Sequence, residues 1–375
     1  MTESYQDTRP PLPVSARTLP AEHFTDPRLF EVELARIFGR SWFCAGRAEE
    51  VPERGSYVVR EIAGANVIVV RDERGDVVAH HNVCRHRGTV IAKDPAGCFP
   101  GRIRCPYHAW TYGLDGRLLA APHMERTEGF RPAEHPLLAV GAALWDGHVF
   151  LNLADRPPPL AEQLGDLPEK FRPWRMEDLR RVERRVYEVR ANWKLIVQNY
   201  SECLHCPTAH PLLTRHSHHL SGANDPPAEG YLGGRMDLRQ GARTLSVDGG
   251  SNRACFAGLS ADDRRRVYYY AVLPNLLLSL HPDYMLTCTL WPRAVDRTEI
   301  VCEWHFDPDA IAAGDFDPGG AIELWDVTNR EDWELCERAH EGIATAGYRP
   351  GPYSNREELL HAFDRWVLAR VGKAR

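Results

Sequence analysis

Apolar residues along this chain change their spacing twice, and each change predicts a different kind of structure. In the first 50 residues, DPRLFEVELARIFGRSW puts Leu29, Phe30, Leu34 and Phe38 on one helical face. Asp26 is placed to cap this helix and Pro27 to take its first position. From Gly55 the period shortens. SYVVREI, NVIVVRD and DVVAHHNVC are β-branched runs parted by Gly, Asn and Asp, which predicts an antiparallel meander. RIRCPYHAWTY, RLLAAP and LWDGHVFLNL continue it, and the stiff DRPPPL (155–160) closes it. The expected division is an N-terminal arm over 1–44, packing on the last region, a small all-β domain over 45–154, and a mixed domain over 155–375.

In that last region RVYEVRA reads as a strand. Asn192 is placed to cap a helix running through WKLIVQNYSECLH, with Trp193, Ile196, Val197 and Tyr200 on one face. Strands are expected near 267–274, 276–281, 284–292 and 298–306. Two helices end the chain, AIELWDVTNREDWELCERAHEGIA and SNREELLHAFDRWVLARV, the second opening on a capping box from Ser354 to Glu357. The fold class is therefore α+β.

Composition narrows the picture little. The chain has 375 residues, 43% hydrophobic and 26% charged, as expected of a globular protein with a real core. A net charge of −6 gives no reason to expect nucleic-acid binding. No apolar run approaches the ~18 residues of a spanning helix. The most apolar stretch, Val267 to Leu280, is interrupted by Pro274 and Asn275 and reads as two buried strands. MTESYQDTRPPLP lacks the pattern of an export signal, so a cytoplasmic location and reduced cysteines are expected.

The ten cysteines and seventeen histidines carry more information. CRHRG and CPYHAW give C-x-H, an eighteen-residue gap, then C-x-x-H: Cys84, His86, Cys105 and His108, at turns between strands. Two Cys and two His can make a tetrahedral zinc site. C-x-H is short for a zinc-finger knuckle, however, and no helix carries the second pair. The string C-x-H-R-G…C-P-Y-H-x-W resembles the Rieske centre, where a 2Fe–2S cluster takes two thiolates on one iron and two imidazoles on the other. Gly88, Pro106 and Gly113 are placed to shape the two loops. His80, His81 and Cys98 read as scaffold or surface.

A second cluster lies in NYSECLHCPTAHP. A facial iron site needs two histidines and one carboxylate. His205 and His210 are five apart, so an ideal helix would turn them ~140° from each other. Pro207 sits between them and Pro211 follows, which supplies a break. NWKLIVQNYSECLHCPTAHP is similar to the N-W-K…E-N-Y-x-E-x-x-H-x4-H-P block of Rieske non-haem iron oxygenase α subunits, the ring-hydroxylating dioxygenase family. With the two Rieske blocks, the resemblance spans from about Trp42 to the C-terminus.

The resemblance implies a Rieske 2Fe–2S domain followed by a helix-grip-like catalytic domain, an antiparallel sheet with flanking helices. It makes His205 and His210 ligands of a mononuclear non-haem Fe(II). Asp332, in REDWELCE, is the third ligand, with Glu331 as the neighbour most easily mistaken for it. Glu202 is the bridge to a Rieske histidine of another subunit, and three-residue spacing on a helix would put it ~60° from His205. Glu at the bridge, followed by CxHCPxxHP, is closest to the members that oxidise choline, glycine betaine, carnitine and proline betaines.

Further expectations follow from that family. Electrons would come from NAD(P)H through a separate flavin/iron–sulfur reductase, since no Gly-rich dinucleotide fingerprint follows a strand here. They would pass from His108 or His86 through Glu202 to His205 or His210, between subunits of a homotrimer, with no membrane partner. The substrate would be a quaternary ammonium compound, hydroxylated or N-demethylated. The alternative is an aromatic-ring hydroxylase or a demethylase of an aromatic compound. A pure electron carrier is disfavoured by the complete His205, His210, Asp332 set. A quaternary ammonium group is best held by aromatic faces. The candidates are Tyr200, Phe256, Tyr268, Tyr269, Tyr270, Tyr284, Trp291 and Trp304, each also a plausible core residue. Cys203 and Cys206 form a C-x-x-C, open to a zinc knuckle or a redox pair but expected to serve packing around the site. His216 to His219 read as a flanking loop.

Overall fold

The structure, a computed structural model, describes residues 11–372. Residues 1–10 of the expected arm, and with them most of the N-terminal stretch read for an export signal, lie outside the described residues. The chain divides into two units, Leu34–Leu160 and a larger one formed by the chain before Leu34 and after Leu160.

The first unit is built on ten strands: β1 (Phe43–Arg47), β2 (Ser56–Ile62), β3 (Ala65–Arg71), β4 (Val77–His81), β5 (Ala96–Cys98), β6 (Ile103–Arg104), β7 (Thr111–Tyr112), β8 (Leu118–Ala120), β9 (Ala139–Trp145) and β10 (His148–Asn152). Seven form an antiparallel sheet in the order β1-β10-β9-β4-β3-β2-β5, and β6-β7-β8 form a second. β2 and β3 are a hairpin whose two loop residues, Ala63 and Gly64, have φ of 50° and 75°. Two positive φ values match the right-handed twist of the flanking strands. Between the sheets lies a core of Ile68, Val70, Ile103, Trp110, Tyr112 and Leu114, and Cys84 and Cys105 belong to it.

The second unit holds seven strands: β11 (Arg180–Val189), β12 (Ala223–Asn224), β13 (Tyr231–Asp237), β14 (Arg266–Val272), β15 (Leu276–Leu280), β16 (Met285–Ala294) and β17 (Arg297–Phe306). They make one antiparallel sheet, β11-β17-β16-β15-β14-β13-β12. Helix Gly319–Ile343 packs against β11 and against helix Trp193–Tyr200. The four strands expected after residue 266 are present with ends within two residues. β13 was not expected. Its YLGGRMD shows no alternation, because Gly233 and Gly234 replace side chains where strands crowd. A Cβ at Gly233 would lie 2.5 Å from the Tyr269 carbonyl oxygen and the Tyr270 ring.

The helix expected from residue 26 is capped by Asp26, whose Oδ1 accepts the Arg28 N–H at 2.8 Å. It is α-helical over Pro27–Glu33 and widens to a π turn over Leu34–Phe38. Glu33 at its end is 1% exposed. It accepts from Lys194 Nζ at 2.5 Å and from Trp193 Nε1 at 2.8 Å, tying this segment to the Trp193–Tyr200 helix. Lys194 is fully buried.

Asn192 caps that helix as expected, Oδ1 accepting from Lys194 N at 3.1 Å. The helix does not reach His205, however. It ends at Tyr200, where Ser201 Oγ donates back to the Val197 carbonyl at 2.6 Å. A short helix, Cys206–Ala209, begins with Pro207 in its first turn. Glu202 and His205 therefore sit in a loop, and helical spacing is not what brings them together. The cysteines of that loop also depart from expectation. Cys203 and Cys206 are joined in a disulfide, while the other described cysteines are free.

Candidate metal centres

Two turns present the first donor set. Cys84 N donates to Thr89 O at 2.8 Å and Gly88 N to Cys84 O at 3.0 Å, closing one loop after β4. Gly88 takes φ +73°, a value that disfavours any side chain. Cys105 N donates to Trp110 O at 2.8 Å, closing the other between β6 and β7. Both thiols are 2% exposed, whereas His86 and His108 stand half-buried at the rim. The imidazole rings lie 4.7 Å apart, and His86 stacks on Trp110 at 4.9 Å. Tyr112 Oη lies 3.3 Å from Cys84 Sγ. Burial pushes the Cys84 thiol up, opposed by that tyrosine.

These residues fit an iron–sulfur cluster. His86 Nδ1 is buried without a hydrogen-bond partner, a costly arrangement unless something binds it. Soft thiolates inside and imidazoles outside are the Rieske ligand set. His80 is scaffold: Nε2 contacts the Leu114 carbonyl at 2.9 Å in the core. Cys98 is exposed.

In the second unit, His205 Nε2 lies 3.2 Å and His210 Nε2 2.9 Å from the same oxygen, Asp332 Oδ1. Each ring has a second carboxylate on its other nitrogen. His205 Nδ1 meets Glu202 Oε1 at 2.5 Å, and His210 Nδ1 meets Glu331 Oε2 at 2.7 Å. Carboxylates on the far nitrogens of two imidazoles fix which nitrogen faces a metal and raise its basicity. Burial opposes charge on His205, but the hydrogen bonds it donates to Asp332 and Glu202 outweigh it and push its pKa up to about 10. His210 is also raised against burial, by Asp332 and Glu331. Burial alone would raise Asp332, yet the two histidines hold it below the usual carboxylate range. A divalent cation between them would take the place of the protons they share.

His205, Cys206 and His210 also place donor atoms within 4.8 Å of one another. Cys206 is tied to Cys203, and a disulfide sulfur carries no thiolate charge, so Asp332 is the better third donor. Two histidines and one carboxylate are the facial set for non-haem iron.

Glu202, His205, His210 and Asp332 line a cavity of ≈ 940 Å³, its open mouth included. Of the aromatics expected to hold a cation, Tyr200 and Tyr269 line it. Phe256, Tyr268, Tyr270, Tyr284, Trp291 and Trp304 are core residues outside the lining. Trp325 lines it and was missed. Its seven-residue spacing from Asp332, with Thr328 between, was a legible signal of a shared helix face. Arg235 and Arg356 also line the cavity, and so does His219 from the expected flanking loop.

One unit offering cluster ligands and another offering a facial triad beside a cavity define an oxygen-activating oxidoreductase. Residues 41–131 match the Rieske [2Fe-2S] domain, and residues 176–373 match the ring hydroxylating alpha subunit (catalytic domain). The chain is 30% identical to the glycine betaine monooxygenase oxygenase subunit of Pseudomonas aeruginosa, over 94% of this chain and 89% of that protein. It is 27% identical to the chloroplastic choline monooxygenase of Spinacia oleracea, over 95% and 77%. The crystal structure of the quaternary ammonium Rieske monooxygenase CntA with γ-butyrobetaine superimposes with a TM-score of 0.78 at 25% identity, over 95% and 96% of the two chains. The chain belongs to the ring-hydroxylating α-subunit family of Rieske oxygenases. Its cofactors are a Rieske 2Fe–2S cluster and a mononuclear iron. Among the described residues no helix is long and apolar enough to cross a membrane.

Proposed function

We propose that this chain is the terminal oxygenase that oxidises an N-methyl group of a betaine, a quaternary ammonium compound carrying a carboxylate. The observation that carries this reading is the cavity lining beside His205, His210 and Asp332. Tyr200, Tyr269 and Trp325 offer aromatic faces to a cation that accepts no hydrogen bond. Arg235, which also pairs with Asp237, and Arg356 put positive charge on the wall, and among the described residues the acidic members of the lining, Glu202 and Asp332, belong to the histidine cluster. The two relatives named above with betaine or choline in their descriptions support the same class.

Cys84, Cys105, His86 and His108 would hold the cluster, and His205, His210 and Asp332 the mononuclear iron. Bound there, these groups supply one-electron transfer and dioxygen activation. The protein does the rest. Glu202 holds His205 through Nδ1 and gives electrons a route from His86 or His108 of another subunit. Tyr269 and Trp325 hold the ammonium so that an N-methyl carbon faces the triad. A hydroxymethyl group formed on that nitrogen gives its hydroxyl proton to water as the C–N bond breaks and the electron pair stays on nitrogen, releasing formaldehyde and the demethylated amine. NAD(P)H enters through a separate flavin/iron–sulfur reductase. Further parts of the same reading are a homotrimer, a cytoplasmic location, and an arm over 1–44 before domains 45–154 and 155–375.

The test is oxygen uptake with NADH and a reductase, compared across glycine betaine, choline and an aromatic panel. Formaldehyde in step with oxygen is expected with glycine betaine. Coupled uptake with aromatic compounds alone would overturn the reading.

A further inference from the structure

We propose that Cys203 and Cys206 are a reversible dithiol–disulfide site, oxidised by hydrogen peroxide, on the loop that holds Glu202 against His205. Cys203 follows Glu202 and Cys206 follows His205, so the disulfide joins the residue next to each member of the hydrogen-bonded pair, with His205 inside the closed loop and Glu202 at its edge. The two Cα atoms are 5.0 Å apart, within the range a disulfide needs. Both cysteines line the cavity that also holds His205, His210 and Asp332. On the reading above dioxygen is reduced in this cavity, so peroxide lost from it would meet these two sulfurs first.

The two cysteines differ in access. Cys203 is partly exposed and Cys206 is 4% exposed. That suits an attacking thiol and a resolving thiol. The Cys203 thiol takes one oxygen from hydrogen peroxide, giving a sulfenic acid and water. The Cys206 thiol then displaces that hydroxyl, forming the S–S bond and a second water. Two thiols lose two electrons and two protons, and one peroxide is reduced to two waters. A dithiol reductant restores the pair by exchange, becoming a disulfide itself. Elsewhere, Cys98 is exposed and free, so it reports plain accessibility without a partner.

The consequence falls on the loop. Closed by the disulfide, residues 203–206 keep Glu202 at His205 Nδ1; opened, they let it swing away. Resting on the reading of His205 as an iron ligand, this makes the oxidised loop the better holder of the mononuclear iron.

The test uses the holoenzyme, reduced with a dithiol, desalted, and exposed to graded hydrogen peroxide before differential alkylation and peptide mass mapping. The 203–206 pair should end as a disulfide that a dithiol fully reverses, because a nearby second thiol traps the sulfenic acid before it oxidises further, whereas Cys98 has no second thiol beside it. Irreversible oxidation at 203 or 206, or persistent free thiols there, overturns the proposal. In Cys203→Ser, Cys206 should stay a thiol at the same dose. Equal oxidation of Cys206 overturns the assigned order. Loss of mononuclear iron to a chelator should be at least about threefold faster with the pair reduced, a modest share of what partners of metal-bound histidines contribute. Equal rates overturn the link to Glu202. None of these measurements uses an organic substrate, so they stand apart from the betaine reading.

Discussion

Replacing Glu331 with Gln tests the iron assignment where it is easiest to confuse two adjacent acids. Glu331 Oε2 sits 2.7 Å from His210 Nδ1, while Asp332 Oδ1 sits 2.9 Å from Nε2 of the same ring. His210 is 1% exposed and the Glu331 side chain 31%, so the contact is only partly shielded from water. A hydrogen bond to a charged group contributes roughly 1.5–3 kcal/mol and a neutral one roughly 0.5–1.5. Glutamine keeps the acceptor and loses the charge, a difference of about 1–1.5 kcal/mol. At about 1.4 kcal/mol per decade this is up to about tenfold in iron affinity, the lower end of what such partners contribute. The assay is competition with a ferrous chelator on reconstituted protein, with the Rieske EPR signal as internal control. Affinity should fall about five- to tenfold, with the Rieske signal unchanged. Asp332→Asn should lose the mononuclear iron outright. If Glu331→Gln empties the site and Asp332→Asn does not, the two acids have exchanged roles and the argument fails.

Three further outcomes follow from the same geometry. Glu202→Gln should leave the Rieske cluster intact, weaken the mononuclear iron about as much as Glu331→Gln does, and cut turnover of the iron-loaded protein by about ten- to a hundredfold, since its carboxylate on His205 Nδ1 is the proposed link for electrons; metal analysis with single-turnover kinetics checks this, and normal coupled turnover would remove Glu202 from the path. Glu33→Gln removes the only carboxylate hydrogen-bonded to Lys194 among the described residues, at 0% exposure, and should cost about 3–5 kcal/mol in urea unfolding, whereas Glu33→Gln with Lys194→Met, which removes the buried charge and keeps an acceptor for Trp193, should recover most of it. Burial pushes Asp364 up to about 7 against hydrogen bonds from Tyr353 and Gln198. Its contribution is therefore full below its ordinary value of 3.8 and lost as pH rises to about 7, by up to ~4 kcal/mol at 1.36 kcal/mol per unit. Asp364→Asn should flatten that slope in denaturation curves from pH 4 to 8.

The candidate ligand pairs stand out in the chain because each comes from one short loop. Cys84 with His86, Cys105 with His108, and His205 with His210 are set by local spacing and by residues that break regular structure, such as Gly88 and Pro207. Strand alternation likewise located most of both sheets. β13 escaped because Gly233 answers to the close approach of Tyr269 and Tyr270 and Gly234 to that of Ala223 and Asn224, which no local pattern contains.

The candidate donor types within each short loop and the order of β and α segments were thus legible in the sequence, since these depend on neighbours a few residues away. Tertiary structure alone decided which acid meets which nitrogen of His210, which of eight aromatics face the cavity, that Trp325 joins them, and that Glu33 neutralises Lys194 from 161 residues away. Those choices depend on where distant segments end up in space. A carboxylate 121 residues from a histidine leaves no periodicity behind, and only the packed fold brings it to 2.7 Å.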